Sequence, residues 1–145
     1  MNDLSNLYHI ADNNDITVDC FKLEKREALS VMDEDGSCFI AIDPFQVRSD
    51  QDEKLKLAHE IGHCMTSAFY NFYSDSNIRQ KEENKADKWA IEHLISKEEL
   101  EDAVAEGNTE IWQLAEYFNV TETFMRKAVC WYKHGNLAVD LYMAV

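Results

Sequence analysis

The sequence predicts an α+β domain, mostly helical with one small antiparallel β-sheet, and three observations carry that prediction. Apolar residues recur at spacings of three and four over most of the chain, the period of packed helices. One region breaks the pattern, between Ile16 and Ile42, where short apolar runs flank an Asp-Gly turn signal. Breaks are scarce elsewhere: 1 Pro and 4 Gly in 145 residues favour helices joined by short turns over a sandwich or barrel. With 46% hydrophobic content, a chain of this length has enough apolar material for the core of one globular domain. That domain, 1–145, divides by pattern into an N-terminal helix with the small sheet (1–48), two core helices (49–95) and C-terminal helices (96–145).

Each element has its own signal. Leu4, Leu7, Tyr8 and Ala11 form one stripe of a helix from about Asn2 to Asn13. Asp12-Asn13-Asn14-Asp15 reads as a turn, and Ile16-Thr17-Val18 with Cys20 and Phe21 as a short strand. Ala28 to Met32 and Ser37 to Ile42 make a hairpin around Asp33-Glu34-Asp35-Gly36, which Asp43-Pro44 terminates. Ser49 N-caps a helix running from Asp50 to Phe69 or Tyr70, and Asp50, Asp52 and Glu53 suit the positive end of its dipole. The aromatic and polar stretch from Tyr70 to Asn77 has no period and reads as a loop, followed by a second helix from Ile78 to Ile95. Ser96 with Glu99 makes a capping box for Lys97 to Ala105, which Gly107 closes. Thr109 is expected to cap Glu110 to Phe118, and Thr121 to cap Glu122 to Lys133, with Gly135 as the stop.

Charge and cysteine usage narrow the classes of function. A formal net charge of −14 and a pI near 4.6 repel nucleic acid, and no locally basic face offsets them. Residues Met1 to Ile10 lack a basic segment followed by an apolar run, and no 18-residue apolar stretch occurs, so a soluble, cytoplasmic protein without membrane contact is expected. Cys20, Cys38, Cys64 and Cys130 form no Cys-x-x-Cys pair, and in that compartment reduced thiols are the expectation.

The chemistry concentrates in Leu57-Ala58-His59-Glu60-Ile61-Gly62-His63-Cys64, a His-Glu-x-x-His match inside a helical run. Four residues apart on a helix, His59 and His63 project from one face and can converge on one metal ion. Glu60 lies beside them as a candidate general base for water attacking a peptide carbonyl. The competing explanation is two surface histidines on an amphipathic helix; against it stands the rarity of the motif, which a shuffled chain of this composition shows on the order of one per cent of the time. Cys64 turns about 100° away from the metal-facing side, so ligation by it is not expected. Gly62 costs the helix roughly 1 kcal/mol relative to Ala, which implies close approach of another backbone or of substrate over that turn.

A third ligand has to come from the second helix, with Glu82, Glu83, Asp87 and His93 as candidates. Glu83, Asp87, Ala90 and Leu94 form one stripe and Glu82, Ala86, Trp89 and His93 the next, so periodicity alone leaves both open. A ligand with a second carboxylate one turn on suits a metal site, because ligating histidines donate their other N–H to an outer acceptor, and Glu83 with Asp87 supplies such a pair. Tyr70 and Tyr73 are candidate donors to a tetrahedral oxyanion, with ordinary packing as the alternative.

His59-Glu60-Ile61-Gly62-His63, followed by Glu83-Asn84-Lys85-Ala86-Asp87-Lys88-Trp89-Ala90 and Leu94-Ile95, resembles the ImmA/IrrE family of metallo-endopeptidases. The resemblance runs from about Ile10 to Gly135 and implies a zincin-like fold, with the sheet packed on a zinc-binding helix pair. It also implies His59, His63 and Glu83 as Zn²⁺ ligands, Glu60 as catalytic base and Asp87 as an outer residue. Ser96 stands where the family often has proline, and His93 stands on no family position. The implied substrate is a helix-turn-helix repressor of a mobile element or stress regulon, relieved by cleavage or otherwise. Zinc is inferred from donor type, and Mn²⁺ or Fe²⁺ also suit two imidazoles and a carboxylate.

Two further readings stand beside this one: an antirepressor that binds zinc and its partner without cutting, and a DNA-binding regulator. The second rests on Leu114 to Thr121, which with the helix after it resembles a helix-turn-helix. Arg126, Lys127 and Lys133 are its basic residues, set beside Glu110, Glu116 and Glu122, which favours packing or a protein partner over direct contact with DNA. Oligomeric state is not legible.

Overall fold

The computed structural model describes residues 2–142, and among them seven helices and three strands. They gather into two compact units, Asn2–Ala90 and the described part of Ile91–Val145. The α+β class is as expected.

The first unit opens with α1 (Leu4–Asn13), capped by Asp3, whose side chain accepts from Asn6 N at 2.9 Å. Strands β1 (Ile16–Cys20), β2 (Ala28–Met32) and β3 (Cys38–Ile42) form a sheet in the order β1-β3-β2. The expected hairpin joins β2 to β3, with Gly36 at φ 87° in its turn. The sheet is not antiparallel throughout, however, because β1 runs parallel to β3. The linking segment explains this departure. Phe21 N donates to Ile42 O at 3.0 Å, Leu23 N donates to the buried Asp43 carboxylate at 2.8 Å, and Asp43 N donates to Glu27 O at 2.9 Å. The chain thus wraps the end of β3 and re-enters as β2 on its other side. Central β3 is the most buried strand, and among the described residues β1 and β2 are the edge strands.

Helix α2 (Asp50–Thr66) starts at the Ser49 cap and buries Leu57, Ala58 and Ile61. It ends at Ser67, which takes φ 52°, a few residues short of the expected Phe69 or Tyr70. The loop 67–75 leads into α3 (Ser76–Leu94). The backbone approach implied by Gly62 is present: a Cβ there would lie 2.6 Å from Ala86 O and 3.0 Å from Ala86 Cα. The thiol expectation is overturned at one pair. Cys38, where β3 begins, and Cys64 on α2 form a disulfide, their Cα atoms 5.9 Å apart and within bridging range. Cys20 and Cys130 are free thiols.

The second unit holds α4 (Lys97–Ala105), α5 (Ile111–Phe118), α6 (Glu122–His134) and the short α7 (Val139–Tyr142). Leu100, Ala103, Leu114, Phe118, Met125 and Ala128 are buried in it. Ser96 and Thr121 cap α4 and α6 as expected. Thr109 does not cap α5. Glu110 occupies that position, and the Gln113 side chain reaches back to accept from Thr109 N and Glu110 N, each at 3.0 Å. Asn119, at φ 53°, makes the tight turn between α5 and α6, and Asn tolerates that conformation better than most residues.

Candidate metal centre

Two faces of α2, separated by the 100° step of a helix, present different chemistry. His59 and His63 face α3. Their Nε2 atoms lie 3.2 Å apart, and Glu83 on α3 meets both, with Oε2 2.9 Å from His59 Nε2 and Oε1 2.9 Å from His63 Nε2. Ligand atoms of the three residues lie within 4.8 Å of one another, a group that could hold a metal ion. Donors set tetrahedrally around Zn²⁺ at 2.0–2.1 Å sit roughly 3.3 Å apart, so the spacing fits with little adjustment.

The far sides of both rings are also fixed. His59 Nδ1 donates to Asp87 Oδ1 at 2.8 Å, and His63 Nδ1 donates to the carbonyl of Ala68. Each imidazole is thereby locked with Nε2 toward the other and toward Glu83, as ligating histidines usually are. Local sequence accounts for both anchors. Asp87 follows Glu83 by one helical turn, and Ser67 ends α2 early enough to fold the Ala68 carbonyl back onto His63.

The electrostatics agree with a cation site. Burial opposes the charged form of His59, but hydrogen bonds from its ring to Asp87 and Glu83 outweigh it and lift the pKa to about 10. His63 is raised as well, against its burial, by Glu83 and the Ala68 carbonyl. Burial pushes the Glu83 carboxyl up, yet its hydrogen bonds with the two imidazoles drive it well below the usual carboxylate range. The three groups together attract positive charge.

Glu60 lies on the other face of α2. It is 8% exposed, and its Oε1 accepts from the Ser30 hydroxyl on β2 at 3.0 Å. Cys64, one turn on from Glu60, meets the same sheet through its disulfide and takes no part in the triad. A cleft of about 470 Å³ brings His59, His63, Glu60 and Glu83 together with Ser30 and Tyr70 along its walls.

The remaining candidates separate clearly. Glu82 turns to Lys85, 3.2 Å away, and is outside the triad, so of the two stripes it is the one with Glu83 and Asp87 that meets the histidines. Tyr70 lines the cleft, and burial, the charge of Glu83 and a hydrogen bond to it raise its pKa. Arg79 stacks over its ring at 5.5 Å and donates to the carbonyls of Phe72 and Ser74, bracing the loop. Tyr73 is 92% exposed and lines no part of the cleft. Sequence reasoning missed Ser30 and the Ala68 carbonyl. A lone hydroxyl in the run Ala28-Leu29-Ser30-Val31-Met32 was the available signal for the first; a backbone group leaves none.

Comparison with known proteins places this geometry in context. The model of a peptidase family, M78, described as the IrrE N-terminal-like domain, matches residues 21–129 and so spans every residue of the centre. No curated protein matches the chain.

Proposed function

The chain belongs to the M78 peptidase family, the IrrE N-terminal-like domain, and from that premise we propose that it is a cytoplasmic zinc endopeptidase cutting a protein substrate, a helix-turn-helix repressor. The observation that carries the reading is Glu60 opening into the same cleft as two imidazoles and a carboxylate whose donor atoms already converge. His59, His63 and Glu83 hold the metal. Bound Zn²⁺ supplies a Lewis acid that acidifies a water and polarises a carbonyl. Glu60 accepts the proton of the attacking water and later returns a proton to the leaving amine. Asp87 and the Ala68 carbonyl keep the imidazoles aimed during the cycle. Tyr70, on the cleft wall beside Glu83, donates to the developing oxyanion.

Substrate geometry follows from the sheet. The open edge of β2 borders the cleft through Ala28, Leu29 and Ser30, and an extended peptide that adds to this edge passes the metal centre. The repressor as substrate rests on the family resemblance.

The experiment is metal content by elemental mass spectrometry, followed by cleavage of the candidate repressor. About one zinc per chain is expected, lost in Glu83→Ala and kept in Glu82→Ala. Glu60→Gln should keep the metal and the fold while cleavage falls by about two to four orders of magnitude. A wild-type protein that takes no metal after zinc is added overturns the reading.

A further inference from the structure

Glu60 is held from outside its own helix. Among the described residues the Ser30 hydroxyl is the hydrogen-bond donor to this carboxylate, at 3.0 Å on Oε1. Ser30 sits at the centre of β2, opposite Ile40 in the ladder, on the sheet face that it shares with Ala28 and Met32. Met32 stands opposite Cys38, the residue bonded to Cys64 one turn along α2 from Glu60. That face therefore touches α2 twice, once through a covalent bond and once through a hydroxyl. Ile40 and Ile42 on the same face are fully or almost fully buried, so an aliphatic side chain is what packing alone would place at position 30.

We propose that Ser30 is a positioning residue for the general base, an inference that rests on the peptidase reading above. The terminal torsion of a glutamate is broad, and a carboxylate with no fixed partner turns freely between its two oxygens. A donor on Oε1 fixes the plane of the group and leaves Oε2 as the oxygen that takes a proton in the cleft. The location of that donor matters as much as its chemistry. Ser30 belongs to the strand whose open edge borders the cleft, so the base and an added substrate strand take their positions from the same three residues of backbone. A peptide seated in register on β2 meets a carboxylate already set to that register.

The test uses the full chain loaded with zinc and acetohydroxamate as probe, because a hydroxamic acid that chelates a metal passes its proton to the carboxylate beside it. Ser30→Ala is expected to weaken acetohydroxamate binding, measured by calorimetry, about two- to tenfold, the cost of ordering a carboxylate left free to turn. Zinc stoichiometry and melting temperature should stay at their wild-type values. Ser30→Thr keeps the hydroxyl and suits a strand, and should restore binding. On a pool of quenched fluorescent peptides, Ser30→Ala should lower kcat by a similar factor at unchanged KM. Binding by Ser30→Ala equal to wild type, or loss that Ser30→Thr does not restore, overturns the inference alone. A wild-type protein that takes zinc but binds no acetohydroxamate and cuts no peptide overturns the peptidase reading and this inference with it.

Discussion

The two faces of α2 are fixed by different means. Toward α3, His59 and His63 are held by polar contacts to Glu83, Asp87 and the Ala68 carbonyl, and the helices approach so closely that Gly62 lies against the Ala86 backbone. Toward the sheet, the helix is held by the Cys38–Cys64 bond and by Ser30 on Glu60. One face spends its contacts on converging the His59, His63 and Glu83 donor atoms; the other fixes the helix through the disulfide and holds Glu60 through Ser30. A substitution on the α3 side should therefore cost metal affinity first, and loss of the disulfide on the sheet side should cost stability first.

Gly62→Ala tests the first half hardest. The new Cβ meets a backbone carbonyl at 2.6 Å, which cannot swing away as a side-chain tip can, so α2 and α3 must separate. Overpacking of this kind costs about 1–3 kcal/mol, partly offset by roughly 1 kcal/mol of helix propensity. The larger effect falls on the triad, whose atoms sit 2.9–3.2 Å apart across the same contact. Zinc affinity, read by competition with a chelating dye, should drop about a hundredfold or more. Unchanged affinity would break the proposed division of labour.

Cys64→Ser tests the second half. The bridge closes a loop with a sequence separation of 26 residues, and its removal should lower unfolding free energy by about 3 kcal/mol in urea titrations. Zinc affinity of the folded fraction should change little, since Cys64 contributes no ligand atom.

The sequence revealed the two faces unequally. His59, Glu60 and His63 stand in a fixed motif on a strong helical period, and Gly62 announced a close neighbour through its cost to the helix. The choice of Glu83 over Glu82 could not come from period, because adjacent stripes on α3 differ by only 100° and the crossing geometry decides between them. The sheet side was hidden for another reason. Cys38 and Cys64 meet because a strand and a helix pack, and no spacing encodes that meeting. Parallel pairing of β1 with β3 was equally invisible, since it depends on a seven-residue link, 21–27, wrapping the end of β3. The early end of α2 was missed because apolar Ala68 and Phe69 prolong the helical pattern past Ser67, which adopts a left-handed conformation that serine takes infrequently.

Asp87→Ala sharpens the contrast without moving either helix. Its carboxylate accepts from His59 Nδ1 at 2.8 Å, so its loss frees the ring to turn and weakens its basicity. Zinc affinity should fall about ten- to a hundredfold with the triad otherwise in place. Stability of the metal-free protein should change less than in Cys64→Ser, because Asp87 closes no covalent loop.

The smallest effect concerns the segment that carries the rim of the cleft, and it depends on pH. Buried Asp43 accepts from Leu23 N at 2.8 Å, from Gln46 Nε2 at 2.7 Å and from Phe45 N at 2.9 Å. These donors favour the ionised form, Gln46 most, and hold the pKa below the ordinary aspartate value. Unfolded, the same carboxyl titrates near 3.9. A group whose folded pKa is depressed contributes stability above the unfolded pKa and loses it as pH falls through the folded value. Asp43→Asn should then destabilise the protein at neutral pH, and the gap to wild type should narrow below about pH 4 in denaturation curves. Because the Asp43 carboxylate holds Leu23 N, the variant should also loosen the link around Leu23, while the backbone bond from Asp43 N to Glu27 O and the zinc affinity stay intact. Faster amide exchange confined to 21–27 at constant zinc affinity would place this loop with the sheet side of the molecule, where contacts shape the cleft and do not aim ligands.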